Sequence, residues 1–329
     1  MRTKALFMIL LFAACVDPLD VDINDIEPKV AIEGLVSDQI GMSFVNVSTT
    51  ADIQGVGANL LGAGAAVLVT DSNGQQYAFN EVTQGRYFPA DPGFVGTVGR
   101  SYTLRVTTSD GEQYRSSTEL MPPTIAIDHM YVIFQEFIDA DTQVKTGAHQ
   151  VVLDIPNSGG PDFFFRTFSR GIAHVFSQPG GECGGCEECW DHRVPVNNRV
   201  VSGTNQGLDN AFSITVASIA FDFRDEYFVE TTLFSLSNTG FDFWSSVQDQ
   251  LEITGTIFDP QIVSTRGNIS NSNPSGPQAF GYFGASSVTQ CSLVFNRTDT
   301  DTTIPITLIP GVCLDVYPNA VGTKPEEFN

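Results

Sequence analysis

The stretch "AAVLVTDSNGQQYAFNEV", Ala65 to Val82, reads as two alternating strands folded about an Asn73-Gly74 turn. Asn-Gly between alternating apolar runs is the strongest short-range hairpin signal, because both residues adopt the left-handed backbone that a tight hairpin needs. "SYTLRVTTSDGEQYRSST", Ser101 to Thr118, repeats the arrangement around Asp110-Gly111. With "VAIEGLV" (30–36), "SFVNVSTT" (43–50) and "GRYFPA" (85–90), the segment 28–122 supplies the short strands and regular turns of an immunoglobulin-like β-sandwich. The Cys and Trp landmarks of antibody domains are missing, so only the architecture is expected. "MPPT" (121–124) closes the unit, since consecutive prolines favour an extended linker over strand pairing.

Downstream, 123–329 reads as a larger β-rich domain, with strand-like runs such as "IAIDHMYVIFQEF" (125–137), "AHQVVLDIP" (148–156) and "DEYFVETTLFSLS" (225–237). One segment departs from the period of two. In "NTGFDFWSSVQDQLEI", Trp244, Val247 and Leu251 recur at spacings of three and four, with Asn238 or Thr239 as N-cap. This predicts one short helix near 239–252, with Trp244 turned into the core. The fold class expected is therefore all-β with a single helix.

The N-terminus gives an address. Arg2 and Lys4 precede an apolar run, and Ala13-Ala14 stand directly before Cys15. A charged n-region, an apolar h-region and small residues at the cut predict a signal peptide, 1–14, too short to span a bilayer. A cysteine at the cut predicts lipidation at Cys15. The acids Asp17, Asp20, Asp22 and Asp25 then make 15–27 an acidic tether. More than one acyl chain anchors a protein stably.

Thirty-eight acids against sixteen Lys and Arg give a net charge of -22, which repels phosphate backbones and excludes a nucleic-acid partner. His129, His149, His174 and His192 form no zinc-protease or hydrolase pattern, and no Gly-rich phosphate loop is present. No catalytic residue and no cofactor is assigned, and the chain is not expected to be an enzyme. Asp299 and Asp301 lack EF-hand spacing and read as a solvated turn.

"GECGGCEECWDH" (181–192) places Cys183, Cys186 and Cys189 two residues apart, with His192 beside them. Such spacing suits a thiolate–imidazole metal site, the alternative being disulfides in an oxidising compartment. Cys291 with Cys313 is the disulfide expected first, and the odd number of cysteines beyond Cys15 leaves one thiol over.

"ACVDPLDVDI" (14–23), "VAIEGLVSDQ" (30–39), "CEECW" (186–190), "RGNISNSNPSGPQAFGYFGASSV" (266–288), "GVCLDV" (311–316) and "KPEEF" (324–328) together resemble the Bacteroidetes lipoprotein family called domain of unknown function 4249. The resemblance implies a lipid-anchored protein on the outer face of the outer membrane, partnered by a TonB-dependent barrel as a substrate-capturing or lid-like accessory. The family often has a second cysteine soon after the position of Cys313, and its absence here leaves Cys291 as the substitute. Readings from other classes are a metal- or metal-chelate-binding surface protein using the cysteine cluster, and a structural or adhesive surface protein. "GNISNSNPSGPQAFGYF" is expected to be an ordered interaction loop, with Asn268, Asn271, Pro274, Tyr282 and Phe283 contributing polar groups and exposed ring faces.

Overall fold

The computed structural model describes residues 29–49, 60–139, 142–156, 163–179, 187–194, 200–203, 212–222, 225–251, 265, 267–306 and 308–328. The signal peptide, Cys15, the tether, Cys183 and Cys186 lie outside the described residues. The described chain is mainly strand, in three sheets.

The two hairpins form where the turn residues place them, although only Gly74 and Gly111 take the left-handed backbone and Asn73 and Asp110 do not. Ala66–Asp71 pairs with Gln76–Thr83, and Ser101–Thr107 with Gln113–Ser116. Asp71 fixes the first turn: its carboxylate accepts from the Asn73 and Gln75 amides, both at 2.9 Å, and from Arg100 at 3.1 Å. Burial opposes ionisation of Asp71, but these bonds outweigh it and hold the carboxyl below its usual range. The sheet runs on through Arg86–Pro89, Phe44–Thr49 and Val30–Ser37. One core gathers Val67, Leu104 and Tyr114 from one half with Ile32, Val45 and Val47 from the other, so the sheet closes on itself as two layers.

This first unit is not completed by 28–122 alone. Ile269–Asn271 pairs antiparallel with Gln113–Ser116, while Ala279–Phe280 and Phe283–Ser286 run parallel to Val30–Ser37. Ile269, Phe283 and Ala285 enter the same core. The chain thus leaves the first unit, builds most of the second and returns to finish the first.

The second unit packs the three-stranded sheet of His129–Ile138, Lys145–Ile155 and Phe212–Ala220 against a seven-stranded sheet centred on Phe163–Gln178 and Glu226–Leu236. Val151, Leu153 and Val216 of the smaller sheet meet Ala173, Val175 and Val229 of the larger. The helix spans Asn238–Leu251, within a residue of its expected bounds. Ser237 caps it, accepting from the Gly240 amide at 3.1 Å, in place of Asn238 or Thr239. Leu251 lies 79% exposed, so the expected apolar stripe stops short of the last turn. Cys313–Val316 adds a second, single-turn helix that the sequence did not announce.

Candidate functional site at the junction of the two units

The linker "MPPT" and the strands that return to the first unit meet around one carboxylate. Glu119 is 1% exposed. Its oxygens accept from Ser117 Oγ at 3.1 Å, Ser237 Oγ at 2.7 Å, Thr239 Oγ1 at 3.1 Å and Asn268 Nδ2 at 3.0 Å. Those donors come from the end of the first unit, the start of the helix and the 266–288 segment. A buried carboxylate survives removal from water only when its lone pairs are occupied, and here four neutral donors occupy them. Glu119 therefore ties three separate segments together.

Asn268 extends the node. Its amide donates to the Phe283 carbonyl at 2.8 Å and accepts from the Phe283 amide at 2.9 Å, replacing a strand partner where the ladder is interrupted. Close backbone approach explains two glycines. A Cβ on Gly267 would lie 1.7 Å from the Gly281 carbonyl oxygen, and one on Gly281, at φ +106°, would lie 2.0 Å from that of Ile32. Tyr282 stacks on Phe243 of the helix at 4.6 Å, and burial pushes its hydroxyl pKa up. Asn271 accepts from the Asn273 amide at 2.8 Å, closing its own turn, and donates to the Glu112 carboxylate of the first unit at 2.8 Å.

The expected interaction loop is therefore corrected in part. Phe283 is fully buried and Tyr282 is 6% exposed, so their rings serve the core and the helix contact instead of a surface. Asn268 and Asn271 act on backbone geometry. Pro274 is exposed, as is Phe280, whose ring stands 39% accessible.

Beside Glu119 a cavity of about 580 Å³ opens, walled by Leu120, Pro122, Pro123, Ile125, Phe163 and Phe164 and edged by Ser237 and Thr239. An apolar wall with a few convergent polar groups suits a solute with an apolar body and a polar end. On the other side of the helix start, Arg166 lies under the Trp244 ring at 3.9 Å and the Phe234 ring at 4.9 Å. Burial lowers its guanidinium to about 10, which leaves it charged. Trp244 is thus a half-buried lid over a cation and not a core residue. A space of about 20 Å³ next to Arg166, bordered by Glu33, Phe44 and Tyr282, is large enough for one water.

The cysteine expectation is overturned. Cys189 is bonded to Cys313, and Cys291 is a free thiol. In the larger sheet the order runs Val288–Asn296, Glu226–Leu236, Phe163–Gln178, Glu187–Arg193. Two strands thus separate Cys291 from Cys189, about 14 Å across the sheet at the usual strand spacing, and the register sets them six residues further apart along the strands, while Cys313 starts a helical turn packed on the Cys189 strand. Burial pushes the Cys291 thiol up to about 11, so it remains protonated. Cys189, held in the disulfide, supplies no thiolate to a metal, and His192 is exposed. Among the described residues no three metal-ligating side chains converge. His174, which no motif marked, lies between Glu188 and Asp225, each at 3.1 Å, and stacks on Trp190 at 4.9 Å.

A family model described as a domain of unknown function, DUF4249, matches residues 16–292. The chain belongs to this family. The match spans both units, the Glu119 node and the whole returning segment, and ends after Cys291, before Cys313. No curated protein matches the chain.

Proposed function

We propose that this DUF4249 protein is a lipid-anchored accessory of a TonB-dependent outer-membrane barrel, held at the cell surface, that captures substrate for the barrel or covers its mouth. The observation that carries the reading is the lipobox. A cationic, apolar leader ends in Ala13-Ala14-Cys15, and the acids Asp17 to Asp25 follow at once. The resemblance of these stretches to Bacteroidetes surface lipoproteins supports the location and the partner.

From Cys15 to the first strand at Val30 the chain is short, at most ~50 Å when fully extended. A body tethered that closely meets a membrane neighbour at high effective concentration, so even a modest interface is occupied. The cavity beside Glu119 is where a captured solute would sit, its apolar part against Pro122, Pro123 and Phe163.

The test is affinity purification from the native membrane in mild detergent, followed by mass spectrometry. A stoichiometric TonB-dependent barrel is the expected companion. Recovery of the protein alone would overturn the accessory reading in favour of an adhesive one.

A further inference from the structure

We propose that the outer face of the first unit carries a binding site for an acidic saccharide, a sugar chain bearing sulfate or carboxylate groups, centred on Arg105 and Arg115. The two arginines occupy directly opposed positions of the ladder between Ser101–Thr107 and Gln113–Ser116. Both are exposed. Among the described residues neither forms an ion pair or a side-chain hydrogen bond, although the chain holds 38 acids to 16 Lys and Arg. Like charges directly across a sheet, with Cβ atoms about 5 Å apart, destabilise the pair that carries them. An arrangement with that cost and no internal partner points to an external anion that spans both forks.

The surroundings name the class. The arginines line a groove of about 280 Å³ with Thr70, Gln76, Thr103 and Thr118. Hydroxyl and amide side chains beside guanidinium forks match the alternating hydroxyls and oxyanions of an acidic sugar. Thr103 and Thr118 hydroxyls stand 3.1 Å apart, each with capacity for a further hydrogen bond. The one acid in the wall, Asp71, is already engaged by Arg100 and by its own turn. The remaining acids of the chain act at longer range and are screened within about 8 Å at physiological salt, whereas the forks touch the ligand. The groove shares Thr118 with the cavity beside Glu119, but its arginines take no part in that cavity and the proposal does not depend on the transporter reading.

The experiment is calorimetric titration of the full-length, detergent-purified protein at physiological salt. The probes are a chondroitin sulfate tetrasaccharide, a tetragalacturonate, neutral maltotetraose and inorganic sulfate. At least one acidic tetrasaccharide is expected to bind, with maltotetraose and inorganic sulfate binding far more weakly. The double variant R105Q/R115Q should weaken the acidic ligand at least about tenfold. Because both side chains are exposed and repel one another, this variant should fold with an unchanged or slightly raised thermal midpoint. Failure of every acidic probe to bind would overturn the proposal. So would equal binding by maltotetraose or inorganic sulfate, or undiminished binding by the folded double variant.

Discussion

The side-chain amide of Asn268 holds both main-chain groups of Phe283, the carbonyl at 2.8 Å and the amide at 2.9 Å. Phe283 is fully buried and begins the strand that runs parallel to Val30–Ser37. One side chain thereby clamps the two arms of the returning segment to each other, and through Glu119 it ties them to the last strand of the first unit.

Asn268→Ala removes all three bonds and leaves the Phe283 amide without that acceptor. Unsatisfied buried groups cost about 1–3 kcal/mol each, so a loss of about 2–4 kcal/mol is expected. Equilibrium urea unfolding reads this as a lower midpoint. Asn271→Ala, which loses its own turn bond and a part-buried bond to Glu112 but leaves no buried main-chain group of Phe283 unpaired, should cost about 1–2 kcal/mol, less than Asn268→Ala on the same assay. Equal losses would show that the amide clamp is not what holds the segment.

Two glycines separate close approach from backbone freedom. Gly267→Ala places a methyl 1.7 Å from the Gly281 carbonyl oxygen, a backbone atom that cannot swing away. The variant should lose about 4 kcal/mol or more, or fail to accumulate as soluble protein. Gly41, at φ +78° with nothing within 4 Å of the added methyl, pays only for its left-handed backbone. Gly41→Ala should cost about 1–2 kcal/mol and remain soluble. Thermal unfolding of the pair checks the contrast.

What was legible in the sequence follows the range of the interactions. Asn73-Gly74 and Asp110-Gly111 specify their hairpins locally, because the turn residue and the alternating runs lie within a dozen positions. The 3.6-residue period gave the helix, but not that Trp244 covers Arg166, a residue some eighty positions earlier. The parallel pairing of Gly34 with Phe283 leaves no local mark, since both stretches read as ordinary strand. In the 266–288 segment the residue types alone suggest a surface. Asn, Gly and aromatics serve equally when polar side chains bond backbone and rings fill a core, and burial decides between these uses. The Arg105–Arg115 juxtaposition was likewise invisible until register placed them opposite one another.

The disulfide gives a direct chemical check. Non-reducing digestion should yield a peptide pair linking Cys189 to Cys313, with Cys291 alkylated only after unfolding, because its thiol is half-buried and protonated. The bond closes a loop of 124 residues in sequence separation, which on the chain-entropy account contributes up to about 4–5 kcal/mol. C189A/C313A should therefore lower the urea midpoint strongly, while C291A should leave it nearly unchanged. A Cys291–Cys313 peptide would reverse the assignment.

His149 predicts how stability changes with pH. It is 3% exposed, enclosed by Phe134, Phe221 and Phe295, with Nε2 on Thr300 at 3.0 Å and Nδ1 without a partner among the described residues. Burial, and secondarily the charge of Arg297, lowers its pKa from 6.5 to about 4. In the unfolded chain the imidazole takes a proton as pH falls through 6.5, while the folded protein resists until about 4. Between those values the unfolded state binds more protons, so stability declines as pH falls and levels off below about 4. The full difference is about 3 kcal/mol. Carboxylates begin to titrate at the lower end of the same window, so the wild-type slope alone does not isolate the histidine. His149→Leu keeps an apolar side chain among the three rings and removes the titrating group. Urea midpoints of the two proteins, measured from pH 7 to pH 4, should therefore shift against one another, the wild type losing stability relative to the variant as the pH drops, and a constant difference across that range would remove His149 as the source.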